Sequence, residues 1–342
     1  MSLGDKTIEE LEEIEEELNE QEEEHGFSNY SMKIELYKEM YRKLSQLVRQ
    51  HNEDVQSSLD YVKRKLIYCL IHYGTYLKTE FQKDDYLARS CLEEALKYDN
   101  RNPLASYRLG FLSYKFNDYI KAIQFFQQAL DHDQYHKQHL YQLNEQQQFN
   151  AHLYLTNCAL QIAKETYEKM NQLPFAKIQE IPKQELAPLF SGLLENEKYL
   201  LRNAFYKISR DVTDTCSKAE CEKLISSPPP ETLLLYFSDR TIIALFNGEE
   251  VSLTQDQGYM LSYFLIKSSE EHPATRHHFS VVDTIRPNTY IQSVNRLRNR
   301  MSNRGFPSLI QRTRFQEEAA YYYDESYPFY IMYRVDEEIE YR

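Results

Sequence analysis

The sequence predicts a mostly α fold in two parts, a long helical domain followed by a small α+β domain. Three observations carry that reading. From Ser31 to about Leu224 apolar residues recur at three- and four-residue spacing, as in Leu36, Met40, Leu44 and Leu47 or Leu59, Val62, Leu66 and Leu70, the pattern of helices that bury one face. Ser226, Ser227, Pro228, Pro229 and Pro230 then interrupt it, because successive prolines remove backbone donors and clash with the preceding turn. Beyond them, β-branched and aromatic runs come before helical spacing returns. At 342 residues the chain is long enough for two cores, and its 29 tyrosines and 17 phenylalanines supply much of the area to bury. The expected division is an acidic arm over 1–27, a helical domain over 28–225, a proline linker over 226–230 and a second domain over 231–342.

The arm comes first. Ile8 to Glu24 holds eleven glutamates, with Ile8, Leu11, Ile14 (or Glu15) and Leu18 near helical spacing. Like charges in a block repel, so a solvated tail, partly helical and partly disordered, is expected. It lacks the positive end and apolar stretch of a secretion signal. The longest apolar runs, such as Leu233 to Phe237, fall far short of the roughly twenty residues of a membrane span. A cytoplasmic protein with no membrane partner is expected. Cys69, Cys91, Cys158, Cys216 and Cys221 form an odd, scattered set and read as free thiols.

Within the helical domain, Pro103 to Gln134 is the most informative stretch. Its Leu109, Gly110, Tyr114, Asp118, Tyr119, Ala122, Phe126, Ala129 and Leu130 resemble the tetratricopeptide repeat, in which small residues let two antiparallel helices approach closely. Stepping back 34 residues from Ala122, Ala129 and Leu130 reaches Ala88, Ala95 and Leu96, as that period requires. Asp84 to Tyr98 is then the second helix of a preceding repeat whose first helix is Tyr61 to Phe81, with Gly74 two residues out of step. The Gln- and His-rich Asp133 to Gln148 interrupts the pattern, which resumes in Ala151 to Met170 as a degenerate third repeat. The resemblance implies a tetratricopeptide-like α-solenoid that holds a peptide or protein ligand, or one that serves as a platform for a homodimer.

After the prolines, Thr232 to Phe237 and Thr241 to Phe246 flank Ser238, Asp239 and Arg240, the profile of a short hairpin. Asn247-Gly248 makes a turn. Thr254 and Gln257 stand three apart as a capping box for a helix running to about Ser268, with Tyr259, Leu261 (or Met260), Phe264 and Leu265 inward. Further on, Tyr290, Val294, Leu297 and Met301 recur at four, three and four residues, one apolar helix face.

Charge singles out that last helix. The whole chain has net charge -13, yet the thirty-three residues between Asp283 and Glu317 hold no acid and seven arginines, Arg286, Arg296, Arg298, Arg300, Arg304, Arg312 and Arg314. A basic patch of this strength attracts a polyanion, most commonly nucleic-acid phosphate. Opposite the apolar face stand Gln292, Ser293, Arg296, Asn299 and Arg300, and a polar helix of this kind can enter the major groove of double-stranded DNA. Gln292, Ser293 and Arg296 are the candidates for base edges; Arg298, Arg300, Arg304, Arg312 and Arg314 are the candidates for phosphate, and Asn299 lies among them. The acidic arm has the charge to compete with DNA for this patch.

Two strings give the domain a resemblance. Glu249 to Leu265, EEVSLTQDQGYMLSYFL, and Tyr290 to Met301, YIQSVNRLRNRM, resemble the C-terminal winged-helix effector domain of bacterial response regulators of the OmpR type. The match rests on Val294, Arg296, Leu297, Arg298, Arg300 and Met301. It implies that Tyr290 to Met301 is a recognition helix and that Ile310 to Phe315 and Phe329 to Val335 are the two strands of the wing. Three departures stand out. Gly258 sits inside the first helix, Gln257 replaces an acidic residue, and Gln316 to Pro328 lengthens the wing, whose Glu317, Glu318, Asp324 and Glu325 phosphate would repel.

Other chemistry finds no candidate. His132, His136 and His139 include an i, i+4 pair but no matched carboxylate or cysteine set for a metal. His277-His278 and Cys216 with Cys221 have no recognised ligand spacing. Eight glycines form no phosphate-cradling loop, and no nucleophile motif is present. The expectation is a non-enzymatic, bacterial-type DNA-binding transcription regulator without cofactor or metal, controlled through its helical module. The alternative is an adaptor whose winged helix binds protein.

Overall fold

The structure, a computed structural model, describes residues 3–25, 29–50, 55–77, 84–136, 141–173, 187–237, 242–279 and 287–335. The fold is mostly helical with a smaller C-terminal sheet region. Two compact units emerge: Met1–Leu18 with Asn29–Leu200, and Asn19–Ser28 with Leu201–Arg342.

In the first unit, α1 (Ile8–His25) contributes its residues through Leu18 and is followed by α2 (Tyr30–Arg49), α3 (Gln56–Leu77), α4 (Asp85–Tyr98), α5 (Pro103–Lys115), α6 (Tyr119–Asp133), α7 (Glu145–Gln172) and α8 (Ala187–Arg202). From α2 to α7 each helix packs chiefly on its neighbours in sequence. Local chemistry starts these helices where it should. Asp84 accepts the Leu87 N–H and Asp118 the Lys121 N–H, so two N-caps stand 34 residues apart, each satisfying an orphan donor of its first turn. Ala88 and Ala122, and likewise Ala95 and Ala129, are fully buried.

Close helix approach explains the small residues. A Cβ at Gly110 would lie 2.8 Å from the Phe126 ring, and that ring cannot retreat because it is fully buried and stacked on Tyr154 at 5.1 Å. Gly74 plays the same part against Leu92, whose Cγ would be 2.9 Å from an added Cβ. Leu92 and Phe126 are themselves 34 residues apart. The partners therefore keep the period even though Gly74 is out of step with Gly110.

The expectation of a solvated, partly disordered arm is corrected for residues 3–25. They form α1, whose Leu11 and Leu18 are buried in the core of the first unit, and Tyr37 donates to Glu15 at 2.7 Å. The apolar stripe outweighs the repulsion because the glutamates keep their water on the other faces while each buried leucine contributes about 1.5–3 kcal/mol.

In the second unit, β1 (Phe205–Ile208), β2 (Thr213–Cys216), α9 (Lys218–Ser226), β3 (Leu233–Phe237), β4 (Ile242–Phe246), β5 (Glu249–Leu253), α10 (Gln255–Lys267), α11 (Pro287–Ser302), β6 (Ile310–Phe315), β7 (Glu318–Tyr323) and β8 (Phe329–Arg334) follow in order. Six strands form one sheet in the order β2-β1-β8-β3-β4-β5, while β6 and β7 form a separate hairpin. Asn247 and Gly248 have φ of 49° and 89°, the left-handed pair that a tight β4–β5 hairpin demands. The capping box at Thr254 and Gln257 is formed in both directions, and Leu261, Phe264 and Leu265 point into the core. Gly258 has a packing reason, since its added Cβ would lie 2.6 Å from Ile242. The turn at 238–240 lies outside the described residues.

Three sequence-based expectations are corrected here. Helix does not continue to Leu224, for β1 and β2 intervene. The boundary does not fall at Ser226–Pro230, because the second unit already takes the chain from Leu201 and β1 pairs with β8, Phe205 opposite Arg334 and Ile208 opposite Ile331. Finally, β8 is not a partner of β6; it lies parallel to β3, with Leu233 opposite Phe329. All five cysteines are buried and outside any disulfide, Cys216 and Cys221 having their sulfurs 3.3 Å apart, and burial pushes the Cys91 thiol up to about 11 and that of Cys158 to about 12.

Substituting Gly110→Ala is expected to destabilise the first unit by about 1–3 kcal/mol through overpacking against Phe126. Gly192→Ala in α8, where nothing lies within 4 Å, should instead raise stability slightly, by up to about 1 kcal/mol. Thermal unfolding of the two variants beside the parent chain checks both signs.

Candidate nucleic-acid interface

The site is built on α11. Tyr290, Val294, Leu297 and Met301 are at most 2% exposed and pack in the cluster that holds Leu253, Phe264, Ile310 and Tyr321. The Tyr290 hydroxyl donates to the Ala274 carbonyl at 2.8 Å, and Ala274 exchanges backbone hydrogen bonds with Tyr321 of β7 at 2.8 and 3.0 Å. Four apolar anchors and one polar one therefore set the rotation of the helix about its axis. With that stripe inward, Gln292, Arg296 and Asn299 are exposed, and Ser293, Arg298 and Arg300 are half-buried.

The helix ends by a specific device. Gly305 has φ +81°, its N–H reaches the Ser302 carbonyl at 3.0 Å, and the Phe306 N–H reaches the Met301 carbonyl at 3.2 Å. This is the Schellman arrangement, completed by the apolar pair it favours, here Phe306 and Met301 in one core cluster. Its consequence is positional. Asn303 and Arg304 still follow the helical path, so Arg296, Asn299, Arg300, Asn303 and Arg304, at steps of three, one, three and one, share one face.

That face borders an open groove of about 1050 Å³, lined also by Glu20, Glu250, Val251, Ser252 and Gln257, all residues of the second unit. Arg300 leans against the wall, its Nη1 3.5 Å from the Ser252 carbonyl. Burial lowers its guanidinium from the ordinary value, though a guanidinium stays charged in any protein setting. Three arginines share this concavity with two carboxylates, Glu20 and Glu250, so its positive potential is centred on the α11 side.

The remaining predicted residues sit elsewhere on the unit. Gln292 shares the exposed face of Arg296 and Asn299 but lies outside the groove, as does Ser293. Arg298, two residues on from Arg296, is turned about 200° away from it around the helix. Arg312 and Arg314 are exposed on β6, two residues apart and hence on one face of the hairpin. Arg286 lies outside the described residues. Asn303 and the β5 wall at Ser252 were not foreseen; the signal for the first was Gly305, which reads as a helix stop two residues beyond it.

The acidic-wing expectation is corrected. The hairpin turns at Gln316 and Glu317, both with positive φ, so Glu317 alone of the four acids lies at the tip. Glu318 is held bidentately by Arg276 at 3.0 and 3.2 Å, with His277 at 3.7 Å. Asp324 and Glu325 lie past the far end of β7, where Asp324 accepts from Ser326 and Glu325 pairs with Arg210 at 2.9 Å. Phosphate near the tip would therefore meet Arg312 and Arg314 with little opposing charge.

No protein-family model, curated protein or solved structure matches this chain. His136 faces Asp99 at 3.1 Å, His139 lies outside the described residues, and no group of three or more potential metal ligands occurs among the described residues.

Tyr290→Phe is expected to cost about 0.5–1.5 kcal/mol of stability, because the Ala274 carbonyl keeps its bond from the Tyr321 N–H. Val294→Asp, which buries a charge without a partner, should unfold the second unit outright. Chemical denaturation followed by tyrosine fluorescence separates the two outcomes.

Proposed function

We propose that this chain is a DNA-binding transcription regulator of bacterial type, working in the cytoplasm, with a winged helix as its DNA-reading part and a tetratricopeptide-like stack as its docking part. The observation that carries the reading is the helix face of Arg296, Asn299, Arg300, Asn303 and Arg304, held outward by the buried stripe behind it. Gln292, Arg296 and Asn299 have the donors and acceptors to read guanine and adenine edges. Arg304, Arg312 and Arg314 have the placement and charge for the flanking phosphates.

The order of elements supports the winged-helix assignment: three antiparallel strands, a capped helix, the recognition helix and a hairpin, with β6 and β7 as the wing in place of β6 and β8. Support for the repeat assignment comes from caps, alanines and groove-filling residues that return every 34 positions, together with helices that pack on their sequence neighbours. Stacks of that kind present an extended surface to peptides and proteins, so control would enter through the helical unit. No catalytic role is assigned to any residue.

Selection of random duplex DNA on the full chain tests the proposal. The full chain is the right form, because a piece beginning at Glu231 would strip β1 from β8. An enriched motif is expected, with Arg296→Ala losing about 1–3 kcal/mol of discrimination at one base position. Arg312→Ala and Arg314→Ala should weaken all sequences alike, each lowering the slope of affinity against salt by about 0.9. Retention of no duplex at low salt by either the parent chain or its variants would instead favour a protein-binding adaptor.

A further inference from the structure

We propose that Cys216 and Cys221 form a reversible modification site, a dithiol that hydrogen peroxide converts to a disulfide joining β2 to α9. The inference is independent of the DNA reading. It starts from one distance: the two sulfurs stand 3.3 Å apart, and a disulfide bond of about 2.05 Å requires them to close by only about 1.2 Å. Local structure fixes both ends of that distance. Cys216 is the last residue of β2 and lies opposite Phe205 of β1. Ser217 then caps α9, its side chain accepting the Glu220 N–H while the Glu220 carboxylate accepts from the Ser217 N–H, and the Cys221 N–H reaches the Ser217 carbonyl at 3.2 Å. The strand end and the first helical turn therefore hold the sulfurs together before any bond joins them.

The surroundings assign the two thiols different roles. Both lie in the cluster of Phe205, Leu234, Leu245 and Met332, against Leu224 and Ile225 of α9. Cys221 is fully buried, whereas Cys216 keeps 4% of its surface on the strand at the end of the sheet. The hydrogen bond between the thiols lowers Cys216 from the ordinary thiol value and, together with burial, raises Cys221. Since the thiolate is the nucleophile, Cys216 is the attacking sulfur and Cys221 the one that resolves the product. Cys91 is an internal control. At 7% exposed it is no less accessible than Cys216, yet burial and the nearby Glu94 hold its thiol up at about 11.

The reaction balances in two steps. The Cys216 thiolate attacks one peroxide oxygen, the O–O bond breaks, and the departing hydroxide takes up a proton from solvent to become water, leaving Cys216 as a sulfenic acid. The Cys221 sulfur then attacks the Cys216 sulfur, the S–S bond forms as the S–O bond breaks, and the Cys221 proton goes with the leaving hydroxide as a second water. The two thiols have lost two electrons and two protons, and one peroxide has been reduced to two waters. A dithiol reductant such as dithiothreitol reverses the change by exchange. In a reducing compartment such a bond is transient, the behaviour of a redox sensor.

The test treats the full chain with hydrogen peroxide, then unfolds it, alkylates the remaining thiols, digests with trypsin and weighs the peptides. Cleavage after Arg210, Lys218 and Lys223 puts the two cysteines on separate peptides, Asp211–Lys218 and Ala219–Lys223. The disulfide keeps these joined, two hydrogens lighter than their sum, until dithiothreitol separates them. The joined product is expected to form at least about tenfold faster than Cys91 oxidises, because a thiol at about 11 presents on the order of a hundredth of an ordinary thiol's thiolate and its greater nucleophilicity recovers only about tenfold. Separate, alkylated peptides after Cys91 has oxidised would overturn the proposal, as would sulfinic acid at Cys216 in place of the joined product. Two variants test the roles. Cys221→Ser is expected to leave Cys216 as a sulfenic acid that dimedone captures, and Cys216→Ser to leave Cys221 a thiol over the same period. Capture at Cys221 alone would overturn the assignment. The digest of the parent chain decides the existence of the site even where a variant fails to fold.

Discussion

The burial of Tyr290, Val294, Leu297 and Met301 is the constraint on which the second unit depends. These four side chains fill the space between the sheet and the β6–β7 hairpin, and a helix has only one rotation that puts all of them inside. That rotation decides which polar residues face outward, so the arginine face follows from the core. Charge alone would not orient it, since exposed guanidiniums are equally well solvated in several directions. The Schellman end at Gly305 extends the same logic by one turn. Phe306 must reach back to Met301, and that requirement carries Asn303 and Arg304 along the helical path before the chain departs.

A comparable constraint governs the first unit. Helix pairs there approach closely enough that glycine is required opposite the largest groove-filling residues, Gly110 against Phe126 and Gly74 against Leu92. Phe126 in turn stacks on Tyr154 of α7 and meets Tyr107 of α5, so one ring links three successive helices. Stability in such an arrangement is distributed over contacts between successive helices.

How much could be read beforehand depended on the range of the interaction. The capping box at Thr254, the Asn247-Gly248 turn, the inward stripe of α11 and the 34-residue step are all local, set by residues within a turn or two, and they were legible. Strand pairing was not. Phe205–Ile208 is four residues long and finds its partner in β8, more than a hundred residues later, so nothing near it in the chain marks it as a strand. Phe329–Arg334 looked like a wing strand because its alternation is that of any half-buried strand; its parallel register with β3 is a property of the whole sheet. The acidic arm failed for a different reason. Eleven glutamates dominated the composition while two leucines, Leu11 and Leu18, decided the structure.

The site inherits both kinds of legibility. Arg296, Asn299, Arg300 and Arg304 could be grouped from periodicity, but the wall that turns them into a concavity comes from β5, and only folding brings Ser252 against Arg300. This matters physically because the wall adds the carboxylates of Glu20 and Glu250 to the three arginines, and because Arg300 is held in direction where it leans on the Ser252 carbonyl. Arginine suits that position better than lysine would, since its planar donors can lean on a carbonyl at one edge and still present others outward. In a chain with net charge -13, the positive potential of this face is local and falls off within about a Debye length.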